Sequence, residues 1–516
     1  MKSFKILAIS IAAVSVSFTM IKTNKAGTPI KIETGLISGV KSNTSDVVAY
    51  KGIPFALPPV GDLRWRAPQP AKPWTGVRKC DAYANDPYQN APHASGMWSD
   101  EFFIPPASTR SEDCLYLNVW TAAKPKEKRP VLVWIYGGGF NSGGGDVPIY
   151  DGEATANKGI VFVSFNYRVG IFGSFSHPEL SKESGYNSSG NYGLLDQIAA
   201  LKWVQKNIAA FGGDPNNVTI AGQSAGSMSV NCLIASPLCK NLFQKAIAES
   251  GAYMVSAARG MATLQQSEEQ GTRAAAGLKA ASIADLRKMT AEDIQQQMRG
   301  AFGPIVDGYV LPEPIPAIFA ANKQNKVILL TGWNENEGML SGQLKNAESF
   351  KKQETDAYGA NADAFFKFYP AANDDEATAS QYKLSKDMMF GIQNYTLANV
   401  EGEKTKVYMY RFTHRVPGIG EYAKYGAFHS GEVTYAYDNL KFLNRPWQAI
   451  DRELAATISS YWANFIITGN PNGKGLPEWP AYTASDSRIM ILGDKPEAKE
   501  MPDKGALDFV LAGMKR

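Results

Sequence analysis

Five short stretches of the chain are apolar without polar alternation: Val131 to Tyr136 (VLVWIY), Gly159 to Tyr167 (GIVFVSFNY), Val218 to Ala221 (VTIA), Val327 to Thr331 (VILLT) and Val407 to Phe412 (VYMYRF). A strand covered on both faces reads this way, because both rows of its alternating side chains meet a packed layer. Between the second and third stretches, Leu194, Leu195, Ile198, Leu201, Val204 and Ile208 recur at helical spacing, which predicts an amphipathic helix over 192–211. Buried strands alternating with such helices predict an α/β fold with a large, mostly parallel central sheet flanked by helices. The segment from about 255 to 300, rich in Ala, Gln and charged residues, reads as helical and outside the sheet.

The 516 residues are 44% hydrophobic, 11% aromatic and 20% charged, enough apolar material for a large core, which excludes a disordered, collagenous or small disulfide-stapled protein. That length suggests about three domains at ~150 residues each. No internal repeat or low-complexity linker divides the chain, so a single large domain over 28–516 is preferred. The formal charge is +4, with 53 basic and 49 acidic residues and neither sign blocked into one region, so no nucleic-acid partner is indicated. Lys2 and Lys5 precede an uncharged run from Ile6 to Ile21, and Lys22 and Lys25 follow it. This predicts a secretory leader over 1–27 and a secreted or periplasmic mature protein without a membrane span; an uncleaved anchor is the alternative. In an exported chain Cys80 could pair with Cys114 and Cys232 with Cys239, each closing a local loop; four buried thiols are the alternative. The cysteine spacing fits no zinc pattern, and no metal site is expected.

Candidate chemistry is concentrated at Gly222-Gln223-Ser224-Ala225-Gly226, directly after the apolar stretch VTIA and before a predicted helix. A G-x-S-x-G turn between strand and helix forces the serine into a strained backbone and raises its hydroxyl at the positive end of the helix. A second element, Tyr136-Gly137-Gly138-Gly139-Phe140, ends the stretch VLVWIY. Glycines there leave backbone N–H groups unshielded and able to point at an oxyanion, with Ala225 supplying a further donor. Gly143 to Gly145, just beyond, reads as a flexible turn.

Several longer motifs resemble the type-B carboxylesterases, the cholinesterase-like branch of the α/β-hydrolase fold. These are Ser111 to Trp120 (SEDCLYLNVW), the YGGGF turn, Asn166-Tyr167-Arg168, Gly190 to Gln197 (GNYGLLDQ), Phe211 to Pro215 (FGGDP), the GQSAGS elbow, Tyr461 to Asn472 (YWANFIITGNPN) and Trp479-Pro480. The resemblance runs from about residue 28 to the C-terminus and implies a Ser-Glu-His triad in that chain order. Ser224 is the nucleophile of that pattern. In VILLTGWNENEG, Glu337 precedes a glycine as the family's acid does, and Glu335 is the competitor. His429 in GAFHSGE fits the family's base, which is followed closely by a glutamate.

Only His93, His177, His414 and His429 are available as a base. His93 lies in a polar, proline-containing loop and reads as a rim residue. His177, before Pro178, reads as a helix cap. His414, at the end of VYMYRF, is the one rival to His429. The resemblance also makes Cys80 and Cys114 look like the family's N-terminal disulfide, Arg64 and Glu112 like an ion pair, Asp196 and Asp214 like structural residues, and Ser250 like a serine behind the triad. Tyr136 stands where the family often has a histidine.

The expected reaction is ester hydrolysis through an acyl-enzyme. His429 takes the Ser224 proton and passes it to the leaving alcohol, Glu337 orients the imidazole, and the N–H groups of Gly138, Gly139 and Ala225 hold the oxyanion. No cofactor is needed, and the partner is a small-molecule ester. Trp98 sits where cholinesterases carry a tryptophan that packs on a quaternary ammonium, but the segment from it to Cys114 looks longer, so a choline ester is not favoured. A lipase or sterol-ester hydrolase on the same site, and a non-catalytic adhesion relative, are the alternatives; the assembled triad argues against the second.

Overall fold

The computed structural model describes residues 28–514 except 92–100, 106, 125, 257–259, 298–301 and 339–342. The predicted leader, His93 and Trp98 therefore lie outside the described residues. An eleven-stranded sheet forms the centre. Its strands in chain order are β1 (Val40–Lys41), β2 (Val48–Pro54), β3 (Tyr116–Thr121), β4 (Arg129–Ile135), β5 (Val161–Phe165), β6 (Gly213–Gln223), β7 (Lys245–Glu249), β8 (Ile328–Asn334), β9 (Val407–Phe412), β10 (Arg488–Leu492) and β11 (Glu497–Glu500). In space they lie in the order β11-β10-β9-β8-β7-β6-β4-β5-β3-β2-β1. Neighbours from β5 across to β10 are parallel, and the pairs outside that block are antiparallel. The unbroken apolar stretches are all in the parallel block, where both faces are covered and β5, β7 and β9 are buried along their whole length.

The helices that position the site are α1 (Tyr192–Asn207), α2 (Ala225–Ala235), α3 (Leu264–Gly277), α4 (Ile392–Gly402) and α5 (Ala449–Thr468). The predicted 192–211 helix becomes α1 plus a 3-10 turn over Ile208–Phe211, stopped by Gly212 in a left-handed conformation at φ +77°. β7 (KAIAE) was not expected as a strand: charged ends mask an apolar centre, yet β6 on one side and β8 on the other bury it completely. Within 255–300, α3 is followed by short helices at Ile283–Lys288 and Ala291–Gln297, all outside the sheet. No helix among the described residues is long and apolar enough to cross a membrane.

The disulfide expectation fails, because Cys80, Cys114, Cys232 and Cys239 are all buried free thiols. Cys80 is tied between two strands, its N–H donating to Ser38 O and its carbonyl accepting from Lys51 N–H, both at 2.8 Å. Cys114 is fully buried, with Asp196, Arg168 and Asp113 acting on it. Cys232, on the last turns of α2, is near Cys239 without bonding to it. Burial pushes the Cys80 thiol up to about 11 and that of Cys239 up to about 12, and raises the other two as well. That suppresses the thiolate on which disulfide chemistry depends.

The ion pair implied by the resemblance is present, and Asp196, expected as structural, forms another. Arg64 grips Glu112 through Nε–Oε1 and Nη2–Oε2 contacts of 2.6 Å each, and Arg168 grips the buried Asp196 at 2.8 Å twice. Asp214 caps a turn by accepting from Asn216 N–H at 2.9 Å.

Candidate active site

Ser224 joins β6 to α2 at φ +57°, ψ −123°, a region that a residue with a side chain enters only under strain. Its neighbours explain why the chain accepts this. A Cβ on Gly222 would lie 2.5 Å from Gly226 O, and one on Gly226 would lie 2.0 Å from Ile135 O, so strand, turn and helix close only with glycine at both places. Ser224 N–H donates to Glu249 O at 2.9 Å, anchoring the turn to β7. The serine side chain makes no capping bond to α2, which leaves its hydroxyl to the site.

The glycine turn abuts this elbow: a Cβ on Gly137 would meet Gln223 O at 2.7 Å and Ser224 Cβ at 3.1 Å. Tyr136, at its start, stacks on Tyr167 with centroids 4.3 Å apart, and each hydroxyl donates to the other's carbonyl at 2.9 and 2.8 Å. This interlock fixes the end of β4 by ring packing and two buried hydrogen bonds. Gly138 and Gly139 both take positive φ, +105° and +64°. Asn141 and Ser142 N–H groups donate to Gly138 O at 3.1 and 3.2 Å, while the N–H groups of Gly138, Gly139 and Ala225 meet no acceptor among the described residues. Gly143 to Gly145, expected as a flexible turn, are instead tied down: Gly143 N–H donates to Gln89 Oε1 at 2.8 Å and Gly145 N–H to Asn166 Oδ1 at 2.7 Å.

Glu337 and His429 meet from separate loops. His429 Nδ1 lies 2.8 Å from Glu337 Oε2, and Glu337 Oε1 accepts from Asn334 N–H at 2.8 Å. Both side chains are buried. The glycine after the acid has a steric reason, since a Cβ on Gly338 would lie 2.2 Å from Tyr382 O. The two loops are stitched together: Asn336 N–H donates to Ala427 O at 2.9 Å, Ala427 N–H to Asn336 Oδ1 at 3.0 Å, and Asn334 Nδ2 to Phe428 O at 2.7 Å. Phe390 stacks on the imidazole with centroids 4.6 Å apart. Gln223 Nε2 lies 3.2 Å from His429 Nε2 and 3.4 Å from Nδ1.

Glu335, the competing acid, turns the other way, pairing with Arg411 at 3.0 Å with 46% of its side chain exposed. His414 commits both nitrogens to carboxylates, Nδ1 at 2.6 Å from Asp494 and Nε2 at 2.9 Å from Asp451. His177 caps its helix as expected, Nδ1 accepting from Glu179 N–H at 3.2 Å.

Sequence reasoning passed over Gln223, Asn334, Phe390 and Glu249, because nothing local marks a residue whose partner lies far along the chain, from Phe390 with His429 to Glu249 with Trp462. Behind Glu337, the buried Glu249 accepts from Trp462 Nε1 at 2.7 Å and Tyr437 OH at 3.3 Å, and Glu432 accepts from Asn334 Nδ2. Burial pushes the Glu249 carboxyl up to about 8, and burial with the charges of Glu249 and Glu337 raises that of Glu432 as well. Ser250, also buried with positive φ, donates its N–H to Gly332 O at 2.9 Å, and its hydroxyl has no partner among the described residues.

The model of the carboxylesterase family matches residues 26–510. The chain is 39% identical over 484 residues to a fumonisin B1 esterase of Sphingopyxis macrogoltabida, covering 90% of this chain and 86% of that one. It is 35% identical over 495 residues to the para-nitrobenzyl esterase of Bacillus subtilis (strain 168), covering 91% and 95%. Liver carboxylesterase 1 of Oryctolagus cuniculus is 33% identical over 514 residues, covering 89% and 88%. A solved structure of a PNB esterase superposes with a TM-score of 0.80 at 32% identity, covering 93% of this chain and 98% of that one. A parallel sheet carrying a strained serine elbow, in a chain matched along nearly its whole length by esterases, makes this protein a member of the carboxylesterase family and a carboxylic-ester hydrolase of the α/β-hydrolase fold.

Proposed function

We propose that the protein is an exported esterase that cleaves carboxylic esters through a Ser224 acyl-enzyme, with His429 as general base and acid and Glu337 as its orienting carboxylate. The observation that carries this reading is the 2.8 Å contact between His429 Nδ1 and Glu337 Oε2, buried beside the strained Ser224 elbow. With Nδ1–H given to Glu337, Nε2 is the nitrogen that takes the Ser224 proton. The hydroxyl oxygen attacks the carbonyl carbon, and the π electrons move to the carbonyl oxygen. The N–H groups of Gly138, Gly139 and Ala225 meet that charge, each donor being worth about 3 kcal/mol in the transition state. Collapse expels the alkoxide, which takes the Nε2 proton; water then repeats the sequence against the acyl-enzyme. Export rests on the basic, then apolar, sequence of residues 2–21.

The test is turnover of soluble short-chain acyl esters by the purified protein beside Ser224→Ala and His429→Ala, with para-nitrobenzyl esters and fumonisin B1 in the panel because relatives bear those names. Both variants are expected to lose at least about a thousandfold in kcat. Parental turnover in either refutes the mechanism. An emulsified triacylglycerol or steryl ester turned over faster than every soluble ester would shift the substrate class to a lipase.

A further inference from the structure

Resting on the assignment of His429 as base, we infer that Arg445 is a positioning residue for the reaction. Its guanidinium packs on Phe428, the residue before His429, and ties the base loop to two other loops. Arg445 lies shortly before α5, with 1% of its side chain exposed. Nε donates to Glu101 Oε1 at 3.0 Å and Oε2 at 3.1 Å, Nη2 to Glu101 Oε2 at 2.5 Å, and Nη1 to Pro417 O at 2.8 Å. The guanidinium carbon stands over the Phe428 ring, 5.0 Å from its centre. One side chain therefore meets the segment of Glu101, the loop that follows β9, and the loop of the base.

The residue before the base is thus held both by its backbone and by its ring. Phe428 O accepts from Asn334 Nδ2 at 2.7 Å, at the end of the strand that leads into Glu337. The ring meets Phe102 edge to face, with centroids 5.8 Å apart, as well as the guanidinium. The segment gripped at Pro417 is itself paired with the start of the base loop, since Val416 N–H donates to Gly426 O at 3.3 Å. Arginine suits this place because its planar fork serves a carboxylate and a carbonyl while its flat face lies on a ring; a lysine ammonium is a point charge and does not do all three. A buried ion pair returns little net stability, because desolvating two charges costs about what their attraction gives back. What the pair with Glu101 fixes is the mutual placement of loops far apart in the chain, and through Phe428 the placement of the imidazole. A displacement of about 1 Å at a reacting group costs about a hundredfold in rate, which sets the scale of the effect.

The test uses the full chain and a soluble ester, comparing Arg445→Lys, Phe428→Leu and the double variant. Working sites are counted by stoichiometric titration with a phosphonate ester, so that kcat is expressed per site, and KM is measured alongside. A residue that merely stabilises the fold changes the melting transition and the number of working sites, not the turnover of each. Arg445→Lys, which keeps the charge, is expected to lower kcat per site about tenfold or more with KM within about twofold. Phe428→Leu is expected to do the same, and the double variant to match the slower single variant within about twofold, because both changes break one chain of contacts. Parental kcat per site in Arg445→Lys, or losses that multiply in the double variant, overturns the proposal. If Arg445→Lys fails to fold, Glu101→Gln decides in its place: it removes the charge that holds the guanidinium, a lowered kcat per site at unchanged KM supports the clamp, and parental kcat overturns it. His429→Ala separates the two levels. An active His429→Ala enzyme sinks the base assignment itself, whereas a dead one beside parental Arg445→Lys sinks only the positioning role.

Discussion

Exchanging the carboxylate of Glu337 for an amide tests the acid assignment most sharply. The side chain is 1% exposed, and its two oxygens serve two donors, Asn334 N–H and His429 Nδ1–H, each at 2.8 Å. Glutamine has the same shape but one acceptor and one donor. If its oxygen faces His429, its NH2 confronts the buried Asn334 N–H, leaving an unpaired donor at about 1–3 kcal/mol. If the oxygen faces Asn334, the NH2 donates to Nδ1 and drives the imidazole proton onto Nε2, where it blocks the base. The second arrangement keeps both hydrogen bonds, so the fold takes it and the loss appears in kcat. A charge-assisted bond worth about 1.5–3 kcal/mol disappears, and restoring the productive tautomer costs about 1–2 kcal/mol more. Together these predict a kcat lower by roughly a hundred- to several-thousandfold at about 1.4 kcal/mol per decade, with KM nearly unchanged. Glu335→Gln is the matched control: its ion pair with Arg411 is half exposed, so its stability effect is at most about 1 kcal/mol and its turnover is parental within about twofold. Steady-state hydrolysis of a chromogenic ester on the three enzymes decides the matter. A collapse of Glu335→Gln with Glu337→Gln intact would refute the assignment and the geometry behind it.

Gly138→Ala places a Cβ 2.2 Å from Ser142 O at φ +105°, so single-turnover acylation is expected to slow about a hundredfold, while Gly139→Ala, with nothing nearer than 3.9 Å, loses much less. Asp86→Asn tests a buried acid: burial and the neighbouring Asp146 push the Asp86 carboxyl up to about 8. The folded protein thus keeps a proton that the unfolded chain releases above about pH 4, so this group's contribution makes stability fall as pH rises from about 4 to 8. The variant should therefore lose less melting temperature than the parent between about pH 6 and 9, and an identical slope would reject the reading. His414→Asn breaks contacts to Asp451 and Asp494 and is expected to lower the melting temperature while kcat stays within about twofold. Unfolded protein prepared without reductant should titrate four thiols with a thiol reagent; two or none would restore a disulfide.

Much of the fold was legible because burial on both faces leaves a mark that is local in sequence: the five apolar stretches all fall in strands of the parallel block, β4, β5, β6, β8 and β9. The antiparallel strands outside that block and the buried β7 were not legible, since their burial comes from neighbours rather than from their own composition. At the site, the glycines flanking Ser224 and Glu337 were readable as motif positions, and the contacts a Cβ would make there, 2.0 Å at Gly226 and 2.2 Å at Gly338, are their reason. The chain could nominate His429 over His414 only by resemblance. The tertiary structure separates them, because one imidazole meets Glu337 beside the elbow and the other is spent on Asp451 and Asp494. The free cysteines and the Gln223 contact belong to the same class. Pairing across ~30 to 200 residues depends on how loops converge at the edge of the sheet, and loop convergence is a property of the packed whole. What the sequence determines by itself is local: backbone strain, strand burial and the chemistry each position has to offer.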